Sequence, residues 1–124
     1  KNKLKIMRYP FGYRIFFSYI HGILISTKTI KVMKTFKDII FKQHKLGKGH
    51  IQGLLMLDSG IELSVVAGSG MYSTSKDGAR SAVNNVKDVS SFEVMAIDAD
   101  GEFLGDPKGW QSREDINQLI KTFS

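Results

Sequence analysis

Lysine and arginine interleaved with aromatic rings form a composition that binds nucleic acid, because the cations neutralise phosphates while the rings stack on bases. The first part of this chain has it. Arg8, Tyr9, Phe11, Tyr13, Arg14, Phe16, Phe17 and Tyr19 alternate charge with ring, and Lys28, Lys31, Lys34, Lys37, Lys42, Lys45 and Lys48 carry the charge onward. Arg8, Arg14, Lys28, Lys31, Lys34 and Lys37 are the candidate nucleic-acid contacts. Residues 1–48 hold twelve Lys or Arg against one acid, Asp38, a net of +11; residues 49–124 hold six against eleven, a net of −5, so the overall +6 hides a split. A basic arm on an acidic body equally suits an anionic lipid surface or the body's own acidic face, and an AT-rich genome loads Lys, Ile and Phe whatever the function.

Two further patterns have the residue types of enzymes. Ser64, then Tyr72-Ser73-Thr74-Ser75-Lys76, resembles the Tyr-x-x-x-Lys segment of short-chain dehydrogenases, and that resemblance implies Tyr72 as proton donor, Lys76 lowering its pKa and Ser64 orienting a carbonyl. That family needs a glycine-rich first turn and several βα units ahead of the segment, and the sequence that precedes it here carries no such glycine-rich turn. Asp98-Ala99-Asp100-Gly101 resembles the strand-end Asp-x-Asp of haloacid-dehalogenase-type phosphatases, but 24 residues follow Asp100, too few for that family's later Lys and metal-binding acids. A turn closed by Asp-Gly accounts for the same residues, and EF-hand spacing fails after Gly101. His21, His44 and His50 show no metal-ligand spacing. The chain has no cysteine, which removes disulfide frameworks, zinc ribbons and thiol catalysis together. The reading is therefore of a protein that is not an enzyme, with no catalytic, metal or cofactor site and no cofactor.

The elements that position these residues are organised around Ile51–Gly68, IQGLLMLDSGIELSVVAG, two short apolar strands joined by Asp58-Ser59-Gly60. Asp38 to His44 reads as a strand with Ile39 and Phe41 on one face, the alternative being a short helix using Phe36, Ile39 and Ile40. A Gly/Ser-rich loop after Gly68 leads into ARSAVNNVKDV, where Ala79, Ala82, Val83 and Val86 recur at helical spacing and predict a small helix. Phe92–Asp98 reads as a strand with Phe92, Val94, Ala96 and Asp98 on one face, opposite Glu93, Met95 and Ile97, Asp100-Gly101 as its turn, and Glu102–Leu104 as the returning strand. Ser112 with Asp115 three residues on resembles a capping box, and Ile116, Leu119, Ile120 and Phe123 make one helical stripe. Trp110, just ahead, is expected to pack as an apolar anchor at the start of that helix.

In the arm, Pro10-Phe11-Gly12 signals a turn, and Ile15–Ile25 is an apolar run of eleven, well short of the ~20 residues that span a bilayer. A cationic stretch before such a run is the layout of a signal peptide, but Ser26-Thr27-Lys28 lacks the small-x-small cleavage pattern. The competing reading is an aromatic strand or a poorly ordered extension. The chain changes character at Met33, whose MKTFKDIIF looks like a protein's beginning, so residues 1–32 are read as a basic aromatic-rich extension upstream of a single domain, 33–124.

The segment 35–123, about three quarters of the chain, resembles a group of short phage-encoded proteins of uncharacterised function, through FKDIIFKQH, GHIQGLLMLDSGIELSVVAG, FEVMAIDADGEF and GDPKGWQSREDINQLI. The resemblance implies a small α+β domain expressed in a bacterial host, and brings no ligand or catalytic residue with it. The fold expected is a mainly antiparallel sheet of three to five strands covered on one face by the C-terminal helix. The function expected is a non-enzymatic accessory or interaction protein in the host cytoplasm, engaging a host protein and carrying no transmembrane segment; the alternative is a nucleic-acid-binding module using the basic arm. Tyr72, Lys76 and Trp110 are the candidate partner contacts, because glycine-rich loops at a sheet edge carry function more often than cores do.

Overall fold

The computed structural model describes residues 4–9, 13–20, 23–31 and 33–124, with side chains from 33 onward. The chain divides into two compact units, Lys1–Lys34 and Thr35–Ser124. In the first, β1 (Leu4–Tyr9), β2 (Tyr13–Ile20) and β3 (Ile23–Lys31) form an antiparallel meander in the order β1-β2-β3. Arg8 pairs with Arg14, Lys28 with Phe16 and Lys31 with Tyr13, and a bulge interrupts the β2–β3 register at Phe16/Phe17. The Pro10–Gly12 turn and His21 lie outside the described residues.

The second unit is an α+β domain. Its sheet comprises β4 (Phe41–Gln43), β5 (His50–Met56), β6 (Glu62–Gly68), β7 (Thr74–Ser75), β8 (Val89–Ile97) and β9 (Lys108–Gln111), and one helix, α1 (Arg113–Phe123), packs on it. The order is β4-β5-β6-β8-β7, all antiparallel, with β9 also paired to β8. The sheet thus has one strand more than the three to five expected. The extra strands are short segments that pair along β8, which is long enough to take β6 at 93–97, β7 at 89–91 and β9 at 92–94.

Period-2 alternation decides which face is covered. Ile51, Gly53 and Leu55 on β5, Leu63, Val65 and Ala67 on β6, and Phe92, Val94 and Ala96 on β8 are buried, while their neighbours face the other way. The β5–β6 turn closes through Leu57 N–H to Ile61 O (2.8 Å) and Gly60 N–H to Leu57 O (3.0 Å). Gly53 must be glycine: a Cβ there would stand 2.2 Å from Ile39 Cγ2.

The last helix forms as its sequence predicts. Ser112 Oγ accepts from Asp115 N–H (3.0 Å), and Asp115 Oδ2 accepts from Ser112 N–H (2.9 Å), a reciprocal capping box. Ile116 and Ile120 are fully buried, with Leu119 and Phe123 packed at the margin. Each buried isoleucine contributes roughly 2 to 3 kcal/mol gross.

Three local expectations are corrected. The Ala79–Val86 segment is not an α-helix; only a single 3-10 turn, Val86–Asp88, forms, capped by Asn85. Two of its backbone N–H groups are spent elsewhere, Val83 N–H on Gly49 O (2.9 Å) and Ala79 N–H on Asp77 Oδ1 (3.1 Å), while the Asn84 side chain ties the segment to Gly49, its Oδ1 accepting from Gly49 N–H (2.9 Å). The Asp77 side chain, and Asn85 with its Oδ1 accepting from Lys87 N–H (3.1 Å), offer the backbone local partners in place of the helical ladder. The Asp38–His44 strand contracts to Phe41–Gln43, with a 3-10 turn at Phe36–Asp38 ahead of it. After the Asp98–Gly101 turn, the returning segment makes a single bridge, Ile97 to Phe103, and the true ladder partner of β8 is β9.

Candidate functional site

The Tyr72 loop and β9 meet and build an exposed aromatic platform. Ser73 is buried and its Oγ accepts from Gly68 N–H (3.1 Å), fastening the loop to the end of β6. Tyr72 is then held on both sides of its backbone: its N–H donates to Glu93 Oε1 (2.8 Å), and its carbonyl accepts from Trp110 N–H (2.9 Å). The approach of β9 is close enough that a Cβ on Gly109 would lie 2.7 Å from Tyr72 Cβ.

Trp110 sits at a bulge. Gln111 pairs with Phe92 and Lys108 with Val94, so β9 carries one residue more than β8 across the same span. The extra residue is accommodated with Trp110 at φ +52°, a left-handed conformation unusual for so bulky a side chain. The two rings lie 5.2 Å apart between centroids and tilted by 50°, within the geometry that gives aromatic pairs about 0.5–1.5 kcal/mol beyond area burial. Both remain half exposed, Tyr72 at 50% and Trp110 at 54%. The expectation that Trp110 packs as a core anchor is therefore wrong: the bulge directs it outward, and Phe92 fills the core beside β9 instead.

Arg80 completes the platform. Its Nε donates to Met71 O (3.0 Å), a terminal nitrogen donates to Gly70 O (3.0 Å), and its guanidinium lies 5.1 Å from the centre of the Tyr72 ring. Sequence reasoning missed Arg80, having assigned it to a helix; only the turns from Ser75 to Gly78 bring it back onto the loop. Lys76, by contrast, is exposed beyond β7 with its N–H bonded to Asp88 O (2.7 Å), away from the ring contacts that join Tyr72, Trp110 and Arg80.

The sheet face opposite α1 carries a groove of about 370 Å³ lined among others by Met71, Glu93, Met95 and Phe103. On it, Ser64 Oγ accepts from Gln52 Nε2 (2.9 Å). Asp98 Oδ1 is engaged by the N–H groups of Asp100 and Glu102 (2.9 Å each), the turn chemistry expected of it. His44 N–H donates to His50 O, and the His44 imidazole is held below its ordinary pKa by burial, with His50 and Lys45 adding to the effect. Asp77 lies below the usual carboxyl range because the Ser75 hydroxyl and then the Ala79 N–H bond its carboxylate. Among the described residues, no group of three or more His, Asp or Glu is arranged to hold a metal ion.

Of the nucleic-acid candidates, Arg8, Arg14, Lys28 and Lys31 lie on β1–β3 in the first unit and Lys34 ends it, whereas Lys37 belongs to the 3-10 turn of the second. Among the described residues, no helix is long and apolar enough to cross a membrane. No family model, curated protein or solved structure matches this chain.

Proposed function

We propose that residues 35–124 form a non-enzymatic interaction module that binds a protein partner through Tyr72, Trp110 and Arg80. The observation that carries this is a Tyr–Trp pair left half exposed on a backbone pinned at Glu93 and at β9, with the Trp110 backbone held in the left-handed region at φ +52°. Tyr, Trp and Arg are the residues in which interface binding energy concentrates, and pre-organised rings lose little entropy on contact. Strain that persists in an exposed aromatic points to use rather than to packing. We place that partner in a bacterial host, in line with the phage-type resemblance expected of 35–123.

Trp110 is the chain's sole tryptophan, so its emission reports directly on the platform. Peptides selected from a random display library on the full chain should blue-shift that emission, shield it from acrylamide, and lose about tenfold or more in affinity to Tyr72→Ala, as expected for a hot-spot truncation. Selected peptides that leave the emission and the Tyr72→Ala affinity unchanged would refute the assignment, as would a library yielding no binder.

A second reading is a nucleic-acid-binding role for the first unit. Residues 1–34 carry eight Lys or Arg and no acid, and the β2–β3 register sets Lys28 and Lys31 opposite aromatic positions, a cation-and-ring pattern suited to single strands.

A further inference from the structure

Beside the aromatic trio Phe36, Phe41 and Phe92, whose ring centroids lie 5.2 to 5.7 Å apart, is a cavity of about 390 Å³. Its apolar wall is Phe36, Ile39, Phe41 and Val86, and its polar groups are Lys37, Arg113 and Asn117. Arg113 is fixed: its two terminal nitrogens donate to Val89 O (2.8 Å) and Val86 O (3.0 Å), and the guanidinium lies 5.2 Å from the centres of both Phe36 and Phe92. Asn117 Oδ1 accepts from Phe36 N–H (2.8 Å), which leaves the amide nitrogen as the side chain's remaining polar group. The polar side-chain groups left at the cavity are therefore donors, two of them cationic. Among the described residues, no carboxylate lines it and neither Lys37 nor Arg113 makes an ion pair.

A part-buried cation without a counter-ion beside an apolar wall is complementary to an anion with an apolar body. We propose that this cavity binds a carboxylate bearing an apolar tail, with the carboxylate at Lys37, Arg113 and the Asn117 amide and the tail against Phe36, Ile39, Phe41 and Val86. The volume suits a ligand of medium-chain-acid size. The same chemistry is offered by a free acid or by a protein's C-terminal carboxylate following an apolar residue. The cavity shares no residue with the Tyr72–Trp110–Arg80 platform, so the two assignments stand or fall separately.

The test is an amide-resolved NMR titration of the full chain with octanoate, 1-octanol and octylammonium at matched concentrations, alongside N-acetyl-Gly-Gly-Phe as its acid and as its amide. The expected result is shifts confined to the segments 36–41, 86–89 and 113–117, with at least one of the two acids bound about tenfold or more tightly than its uncharged counterpart and octylammonium not bound. Whichever acid binds more tightly identifies the source. Lys37 is exposed and outside the core, so Lys37→Glu should keep the fold while lowering acid affinity about tenfold, the scale of one partly screened charge contact. Equal binding of acids and uncharged counterparts, shifts outside these segments, no shifts up to about 5 mM, or unchanged acid affinity in Lys37→Glu would each overturn the proposal.

Discussion

Trp110 offers a sharp test of the bulge, because its backbone conformation reverses a normal substitution rule. In ordinary strand or helix backbone, glycine is less stable than alanine by about 0.5–1 kcal/mol, since the unfolded chain gains entropy. At φ +52°, any residue with a Cβ carries roughly 1–2 kcal/mol of left-handed strain, and glycine carries almost none. Trp110→Ala removes the ring pair with Tyr72 and keeps the strain; Trp110→Gly removes both. The two opposing terms leave glycine more stable than alanine by about 0.5–1 kcal/mol. Urea denaturation of the two variants in the full chain, followed by far-UV circular dichroism, measures the difference. With m near 1 kcal/mol/M, the glycine midpoint should lie about 0.5–1 M higher at equal m. Trp110→Gly should itself fall within about 1 kcal/mol of the parent, the lost ring contact and relieved strain being of similar size. An alanine variant as stable as the glycine variant, or more so, would show that the bulge conformation is not what is described.

Asp115 carries a pH prediction. The Ser112 N–H, and then the Ser112 hydroxyl, hold its carboxyl below the ordinary value, so the folded pKa is depressed. The resulting stability is present above about pH 4 and is lost as pH falls through the folded pKa. The stability gap between the parent and Asp115→Asn should therefore narrow on acidification in urea titrations run at successive pH values; a gap independent of pH down to about 2 would contradict the capping box. For the basic unit, anisotropy of a labelled oligo-dT at low salt should show binding that weakens with salt, and Arg14→Glu with Lys31→Glu should reduce both the affinity and the salt slope. Absence of binding at low salt would dispose of the second reading.

The capping box and the stripe Ile116, Leu119, Ile120 and Phe123 were legible because a helix end and its buried face are local properties of spacing. The same holds for the alternation of β5, β6 and β8 and for the turns at Asp58–Gly60 and Asp98–Gly101, where each residue's role follows from its nearest neighbours in the chain. The segment 79–86 misled because apolar spacing was real but its Val83 and Ala79 N–H groups had better partners in Gly49 O and the Asp77 side chain, and its Asn84 side chain was claimed by Gly49 N–H, none of which helical spacing registers. The candidate sites were legible only as residue types. Tyr72 and Trp110 were named from the sequence, yet their contact depends on a single extra residue in β9, and Arg80 and Arg113 gained their roles from chain returns of nine and more than twenty residues. Local sterics and composition are enough to set the period-2 strands, the capped helix and the charge split, and all three can be read along the chain. That Trp110 faces solvent and that Lys37 and Arg113 line one cavity follows instead from the folded chain, because both depend on which distant backbone claims which hydrogen bond.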